Sequence, residues 1–573
     1  MPGQTRRQDL IGFCPQIFAD QWLGVEALIS YERPVPLIEG VIDRSGNFRH
    51  SELSGKAKSI PMVPSHNIVM RRDKPSLQDI IVPLTRHLIS DPKEKIIIFR
   101  NTRGSAEGCA RYLSAELGLV PATEIVAQLP NHDISSTSVN LRECLNGGVA
   151  FHNTNLNRLE KSVIEKAFRD PNGKIRVLVA TSTLAAGINT PASTVIIAEQ
   201  EFIGEVTRPF TVAEYKNMAG RAGRWGFNEE GKSILLAEND YDTQPLFNRY
   251  VLGKPEQITS SFDPKDVETW IIRLLAQISK VPRTDIIQLL ANTYGGYLAN
   301  RQNPSWRDTM KQHLEQLLSR MLSLGLLEQE ADLVQLTLLG RACGQSSLSL
   351  QSTMRLVEVL RSSGIVNITA EHLMAIVQVL PESDAIYTPL FKRGQREADM
   401  AGRASSRYGH EVVRILQRHA QDNFSYYARC KRAAVLHDWI NGVPTDAIEK
   451  DYTTNPYQGK IGYGDIRGFA DTTRFHLRSA IPIANLILMD KAPAGQSLET
   501  LLKQLEVGIP AGALELLTIP MAFERGECLV LYNASIKTTK TFWAASAEMI
   551  ANLLGKTRLA EIEKIRLKEK LQA

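Results

Sequence analysis

Between residues 95 and 240, short runs of consecutive apolar residues alternate with longer runs of helical periodicity. Ile96-Ile97-Ile98-Phe99 reads as a strand buried on both faces, because a half-exposed strand would alternate apolar and polar side chains. Residues 105–117 follow as a helix with small and apolar residues on one side. Val177-Leu178-Val179-Ala180, Val195-Ile196-Ile197-Ala198 and Ser233-Ile234-Leu235-Leu236 add three more buried strands. Strands separated by helices pair in parallel through crossover connections, so this stretch predicts an α/β domain.

Past residue 263 the pattern changes. Residues 265–280 and 307–324 have helical spacing, and Gly325-Leu326-Leu327, a polar turn and residues 333–337 read as a small hairpin. Helices followed by a hairpin predict a winged-helix module. Residues 346–500 read as nearly all helix, with breaks at Pro381, at Gly442-Val443-Pro444 and from Asn455 to Gly464. Residues 501–573 are helical again and end in a mixed-charge helix, Arg558 to Gln572, that fits a solvated face.

Composition narrows this little. The 573 residues are 43% apolar and 23% charged, ordinary for a folded chain of several domains. The net charge of +5 permits a nucleic-acid partner without demanding one. The six cysteines show no zinc-type spacing, so no metal site is expected and reduced thiols in a cytoplasm fit best. No run of about 18 apolar residues suggests a membrane span.

The chemistry concentrates in two segments. Residues 214–224, EYKNMAGRAGR, place Arg221 and Arg224 three apart near a helix, with glycines between them that permit close backbone approach. A guanidinium is always charged and forks onto phosphate oxygens, the chemistry of an arginine finger. Upstream, residues 177–192, VLVATSTLAAGINTPA, run from a buried strand into hydroxyl residues and a tight glycine turn. That arrangement offers backbone N–H groups and hydroxyls to phosphate oxygens.

In this order the two segments resemble motifs V and VI of superfamily 2 helicases, in the Ski2-like (superkiller-type) branch of the DEAD/DEAH-box enzymes. Residues 96–103, IIIFRNTR, are similar to motif IV, and residues 148–156, GVAFHNTNL, resemble the segment before motif V. Asn153 and Asn155 stand where the family has a second His and a Gly, and Asn217 stands where motif VI has Gln. Looser likenesses run on through residues 336–341, 438–449 and 464–467 to residues 508–536, which resemble the terminal helix-hairpin-helix of archaeal-type repair DNA helicases. Met521-Ala522-Phe523-Glu524 replaces the glycines of that hairpin, so a packed helical cap is expected there rather than a phosphate-binding turn.

The resemblance implies an α/β RecA-like domain followed by a winged helix and mostly α-helical ratchet and terminal domains. The boundaries expected are 1–55 for a linker after motif III, 56–262 for the second RecA-like domain, 263–345 for the winged helix, 346–500 for the ratchet and 501–573 for the degenerate terminal domain. It implies Arg221 and Arg224 as γ-phosphate contacts, and Gly187, Asn189, Asn217 and Gly220 on the ATP side. It implies Arg100, Asn101, Thr102, His152, Thr181, Ser182 and Thr183 on the nucleic-acid side. Arg407, Arg414 and Arg418 recur at sevens and fours and are expected to share a helix face. With neighbouring basic and aromatic residues, among them Tyr426, Tyr427, Arg429, Lys431 and Arg432, they suit a groove tracking single-stranded backbone.

One look-alike is set aside. Residues 226–233, GFNEEGKS, fit the P-loop spelling but lead into a strand instead of opening a helix, and two acidic residues sit inside the loop. No DExH or DExD sequence occurs. Residues 18–25 and 33–41 resemble the family's exit from its first RecA-like domain. ATP with Mg2+ is therefore expected only when a first RecA-like domain completes the cleft. That domain would come from a partner protein in trans, or the chain is a truncated reading frame. The expected activity is a share of 3′-to-5′ translocation on single-stranded or tailed DNA. The alternatives are a non-catalytic nucleic-acid-binding subunit and part of an RNA helicase.

Overall fold

The computed structural model describes residues 22–24, 35–51, 56–182, 192–203, 207–223, 230–256, 259–261, 266–391, 397–456 and 458–572. They fall in two compact units. One lies within Glu26–Gln257 and takes Gly462–Gly464; the other lies within Ile258–Ile461 and Asp465–Ala573 and takes Phe18–Val25.

The first unit is built on strands β1 (Leu37–Ile42), β2 (Asn47–Ser51), β3 (Ala57–Pro61), β4 (Ile96–Arg100), β5 (Val149–His152), β6 (Val177–Thr181) and β7 (Thr194–Ile197). A two-stranded ribbon, β8 (Glu201–Phe202) with β9 (Arg208–Pro209), precedes β10 (Gly231–Leu236). Among the described residues the main sheet has eight strands in the order β3-β2-β1-β10-β7-β4-β6-β5. The six from β1 to β5 in that order pair in parallel, and β2 and β3 add an antiparallel edge. β4, β6 and β7 lie in the middle, buried on both faces, which is why their sequences are unbroken apolar runs. The sheet begins at Leu37, ahead of the boundary expected at residue 56. β1 pairs with β10 along its length, from Leu37 with Gly231 to Ile42 with Leu236.

In the second unit, helices Val267–Leu275, Ile286–Ala291, Tyr294–Gln302 and Trp306–Ser323 accompany strands β11 (Val281–Pro282), β12 (Leu327–Glu330) and β13 (Leu333–Leu336). The strands form a small antiparallel sheet in the order β11-β13-β12. Ala331, at φ +53°, turns the hairpin. The two short helices between 286 and 302 replace what the sequence pattern left unassigned. Helices then dominate, including Asn423–Ile440 and the 26-residue Tyr463–Leu488. The terminal segment packs its own core, with Ile509, Leu516, Cys528, Leu531 and Phe542 buried and Met521 and Phe523 against them. Phe523 meets the edge of Phe542 at 5.5 Å. Residues 521–524 are thus part of a packed cap, and Glu524 and Glu527 close a capping box on helix Arg525–Asn533.

Candidate nucleotide and nucleic-acid sites

The arginine segment grows from helix Val212–Ala219. Its start is over-determined: the Thr211 hydroxyl accepts from Glu214 N–H and the Glu214 carboxylate accepts from Thr211 N–H. Arg208 forks onto Glu214 at 2.7 and 2.8 Å, and chiefly this hydrogen bonding lowers the Glu214 pKa to about 2. In mid-helix, Lys216 donates to both Glu39 oxygens on β1 at 2.9 Å. The helix ends at Gly220, and Arg221 follows it, 8% exposed.

The next residues lock onto the sheet. Gly223 N–H donates to the Ala192 carbonyl at 2.9 Å and Ala192 N–H donates to the Arg221 carbonyl at 3.2 Å, as a parallel bridge. Ala192 lies just ahead of β7, so Arg221 sits at the amino ends of the central strands. Gly223 has φ +64°, and a Cβ there would lie 2.8 Å from the backbone of Gly231, the first residue of β10. The close backbone approach expected of these glycines is made, at Gly223, to the chain's own backbone. Gly231-Lys232-Ser233 is strand, with Ser233 fully buried, which removes the P-loop look-alike. Asn217 is exposed and Gly220 half-buried. Arg224, Gly187, Asn189 and Thr183 lie outside the described residues.

Among the described residues, the expected nucleic-acid contacts of this unit lie at the opposite, carboxyl ends of the strands, where open α/β sheets place ligands. The structure gives several of them internal work. Arg100, at the end of β4, forks onto Glu199 at 2.6 and 2.9 Å, and the Glu199 hydrogen bonds hold its pKa above the usual value against burial. The Asn101 N–H donates to the same carboxylate at 3.3 Å. Thr102 is the N-cap of helix Arg103–Glu116, accepting from Ser105 N–H. His152, at the end of β5, is buried and pairs through Nε2 with Glu165 at 2.9 Å, while its Nδ1 has no partner. Thr181 is buried at the end of β6 and Ser182 half-buried beyond it.

Asn153 and Asn155 turn inward. Asn153 donates to Glu107 at 2.9 Å and accepts from Asn155 N–H, and the Asn155 side-chain oxygen accepts from Arg103 at 2.7 Å. These amides brace the turn after β5. Glu107, Glu199 and Glu39 were missed in the sequence. Each sits far along the chain from its partner, which no local pattern marks.

In the helical region one expectation is corrected. Arg407, Arg414 and Arg418 do not share a helix face, because Gly409 at φ +82° separates helix Asp399–Tyr408 from helix His410–Gln417. Arg407 forks onto Asp438 at 2.8 and 3.0 Å; Arg414 is exposed beside Glu411; Arg418 donates to Ser362. The basic run on helix Asn423–Ile440 is corrected too. Arg429, Lys431 and Arg432 are fully buried and cannot line a groove. Arg429 forks onto Asp384, Lys431 donates to the Pro389 carbonyl at 2.6 Å, and Arg432 donates to Gln378 and Thr388. Burial lowers the Lys431 pKa to about 8. Tyr426 and Tyr427 stay half-buried near the start of the helix.

Two families match. Residues 79–226 match the helicase conserved C-terminal domain, which covers the sheet and the arginine segment. Residues 373–508 match domain 4 of archaeal helicases. A RecA-like sheet carrying the arginine segment, continued by that helical domain, defines a superfamily 2 helicase. The chain is 27% identical to the ATP-dependent DNA helicase Hel308 of Pyrobaculum calidifontis over 93% of its own length and 70% of that protein. It is 24% and 25% identical to proteins of the same name from Caldivirga maquilingensis and Methanocella arvoryzae, again over 93% of its length and over 69% and 68% of theirs. The chain belongs to the Ski2-like branch of superfamily 2 helicases, in the layout of the archaeal-type DNA helicases. No described helix is long and apolar enough to cross a membrane.

Proposed function

We propose that the chain supplies the arginine side of the ATP cleft and the strand-binding domains of an ATP-dependent, 3′-to-5′ DNA translocase. The observation that carries this is the division of the first unit. Arg221 is held at the amino ends of β7 and β10, and Arg100, Asn101, Thr102, His152, Thr181 and Ser182 sit at the carboxyl ends of β4, β5 and β6.

ATP with Mg2+ would bring the reacting phosphoryl group to this surface. The residues present are compatible with one half of that site: Arg221, 8% exposed, with Arg224 three residues on in sequence, would turn guanidinium donors to charge developing on γ-phosphate oxygens. The Mg2+ ligands and phosphate cradle belong to a first RecA-like domain, which a partner protein would supply in trans. Gly187, Asn189, Asn217 and Gly220 would line the nucleotide side. Asn101, Thr102, His152, Thr181, Ser182 and Thr183 would face the strand mainly through backbone groups, since Arg100 is already neutralised by Glu199. The module expected at 263–345 would act as the winged helix, and the helical domain, with Arg414 and Arg418 exposed, would carry the strand.

Binding of 3′-tailed DNA and tailed RNA of the same sequence, followed by fluorescence anisotropy across a salt series, tests the substrate. Tighter DNA binding is expected. Preference for RNA would move the chain to the RNA-helicase reading, and no binding to either would remove the translocase reading.

A further inference from the structure

The chain leaves the first unit through residues 247–256, and this segment is wrapped around the arginine helix. Tyr250 donates its hydroxyl proton to the Phe210 carbonyl at 3.1 Å, and Arg249 donates to the same oxygen at 3.3 Å. Lys216 donates to the Val251 carbonyl at 3.3 Å besides holding Glu39. Gly253 lies so close under the helix that a Cβ there would meet the Arg249 carbonyl and the Val212 side chain. The segment ends with Glu256, whose two carboxylate oxygens accept from Val212 N–H at 2.7 Å and Ala213 N–H at 3.1 Å.

These are two of the N–H groups that the first turn of a helix leaves without an internal partner. The third, on Glu214, is taken by Thr211. The helix start is therefore satisfied jointly by its own cap and by a carboxylate more than forty residues later, whose charge also suits the positive end of the helix dipole. The backbone hydrogen bonds hold Glu256 ionised, with its pKa below the usual carboxylate value despite the cost of desolvation.

We propose that Glu256 is a positioning residue for Arg221. Helix Val212–Ala219 is two turns long, a rod of about 12 Å. Glu256 grips one end of it and Arg221 follows the other. The second unit begins two residues after Glu256. Displacement of the following chain pulls on the grip, uncovers two N–H groups and shifts the arginine. The 247–256 segment thereby acts on the ATP side, and Glu256 is its last hold on the helix. This inference rests on the proposed function of Arg221.

The test uses the full chain with Glu256→Ala and Glu256→Gln. Amide hydrogen exchange over residues 207–223 is expected to quicken at least about tenfold at Val212 and Ala213 in Glu256→Ala, less in Glu256→Gln, which keeps one acceptor, and not at all in β4. DNA-stimulated ATP hydrolysis, measured with the ATP-binding half present, is expected to lose about ten- to a hundredfold in kcat with DNA affinity unchanged. A purely structural cap would lower the melting temperature without that split. Arg221→Ala in the same assay separates the failures. Loss with Arg221→Ala but full kcat with both Glu256 variants overturns the positioning role and leaves the proposed function standing. Full kcat with Arg221→Ala overturns both.

Discussion

Replacing Gly223 by alanine should damage the first unit out of proportion to the one carbon added. Gly223 has φ +64°, where an L side chain costs about 1–2 kcal/mol. The new Cβ would also stand 2.8 Å from Gly231 Cα and N and 2.9 Å from Val35 Cγ1. Two of these atoms are backbone, so no rotamer change relieves them. Gly231 is itself held by its N–H bond to the Pro36 carbonyl and by its pairing with Leu37. Overpacking of this kind costs about 1–3 kcal/mol, which brings the total to about 2–5 kcal/mol. A domain is stable by only about 5–15 kcal/mol, and for a unit of this size each kcal/mol moves the melting temperature by about 2–4 °C. Scanning calorimetry should show the first unit's transition lowered by roughly 4–20 °C. Gly108→Ala is the control. Gly108 is inside helix Arg103–Glu116 with nothing within 4 Å of its Cβ position, so the same change should stabilise by about 0.5–1 kcal/mol. Equal shifts for the two variants would refute the claim that Gly223 and Gly231 are fixed by backbone contact.

Arg100→Ala should destabilise the first unit by about 2–4 kcal/mol in urea unfolding, because Glu199 is left nearly buried without its cation. It should leave the salt dependence of DNA binding unchanged, whereas a slope reduced by about one would mean that Arg100 contacts phosphate. Lys431 is a buried amine with its pKa lowered to about 8 from 10.5. Between those values the unfolded chain binds the extra proton, so stability of the second unit should rise with pH from about 8 to 10, by up to about 3 kcal/mol. Lys431→Met should flatten that rise, and an unchanged slope in unfolding measured across this range would count against it. Arg407→Ala should destabilise the second unit by about 2–3 kcal/mol, because Asp438 keeps only its other donors, Tyr452 among them.

The sequence carried the centre of the sheet because β4, β6 and β7 are buried on both faces, and such strands have no polar residue to blur the pattern. β3, AKSIP, is the edge strand and β2, NFRHS, lies next to it, and the polar residues of both look like a loop. Their membership is decided by pairing with residues elsewhere. Arg221 was singled out by its spacing from Arg224. Its setting at the amino ends of β7 and β10 was not legible, since that depends on the bridge between Ala192 and Ala222. Charge counts misled where a partner was remote. Arg100 and Glu199 are 99 residues apart, and Arg429 and Asp384 are 45 apart. The shared face of Arg407, Arg414 and Arg418 failed on one residue, Gly409, whose positive φ breaks the helical count.

The most direct test of the account is DNA-stimulated ATP hydrolysis by the purified chain, alone and with an ATP-binding RecA-like half added. The account predicts no hydrolysis alone, hydrolysis on addition, and its loss with Arg221→Ala or Arg224→Ala. Hydrolysis by the chain alone, or hydrolysis on addition that both variants leave intact, would contradict it.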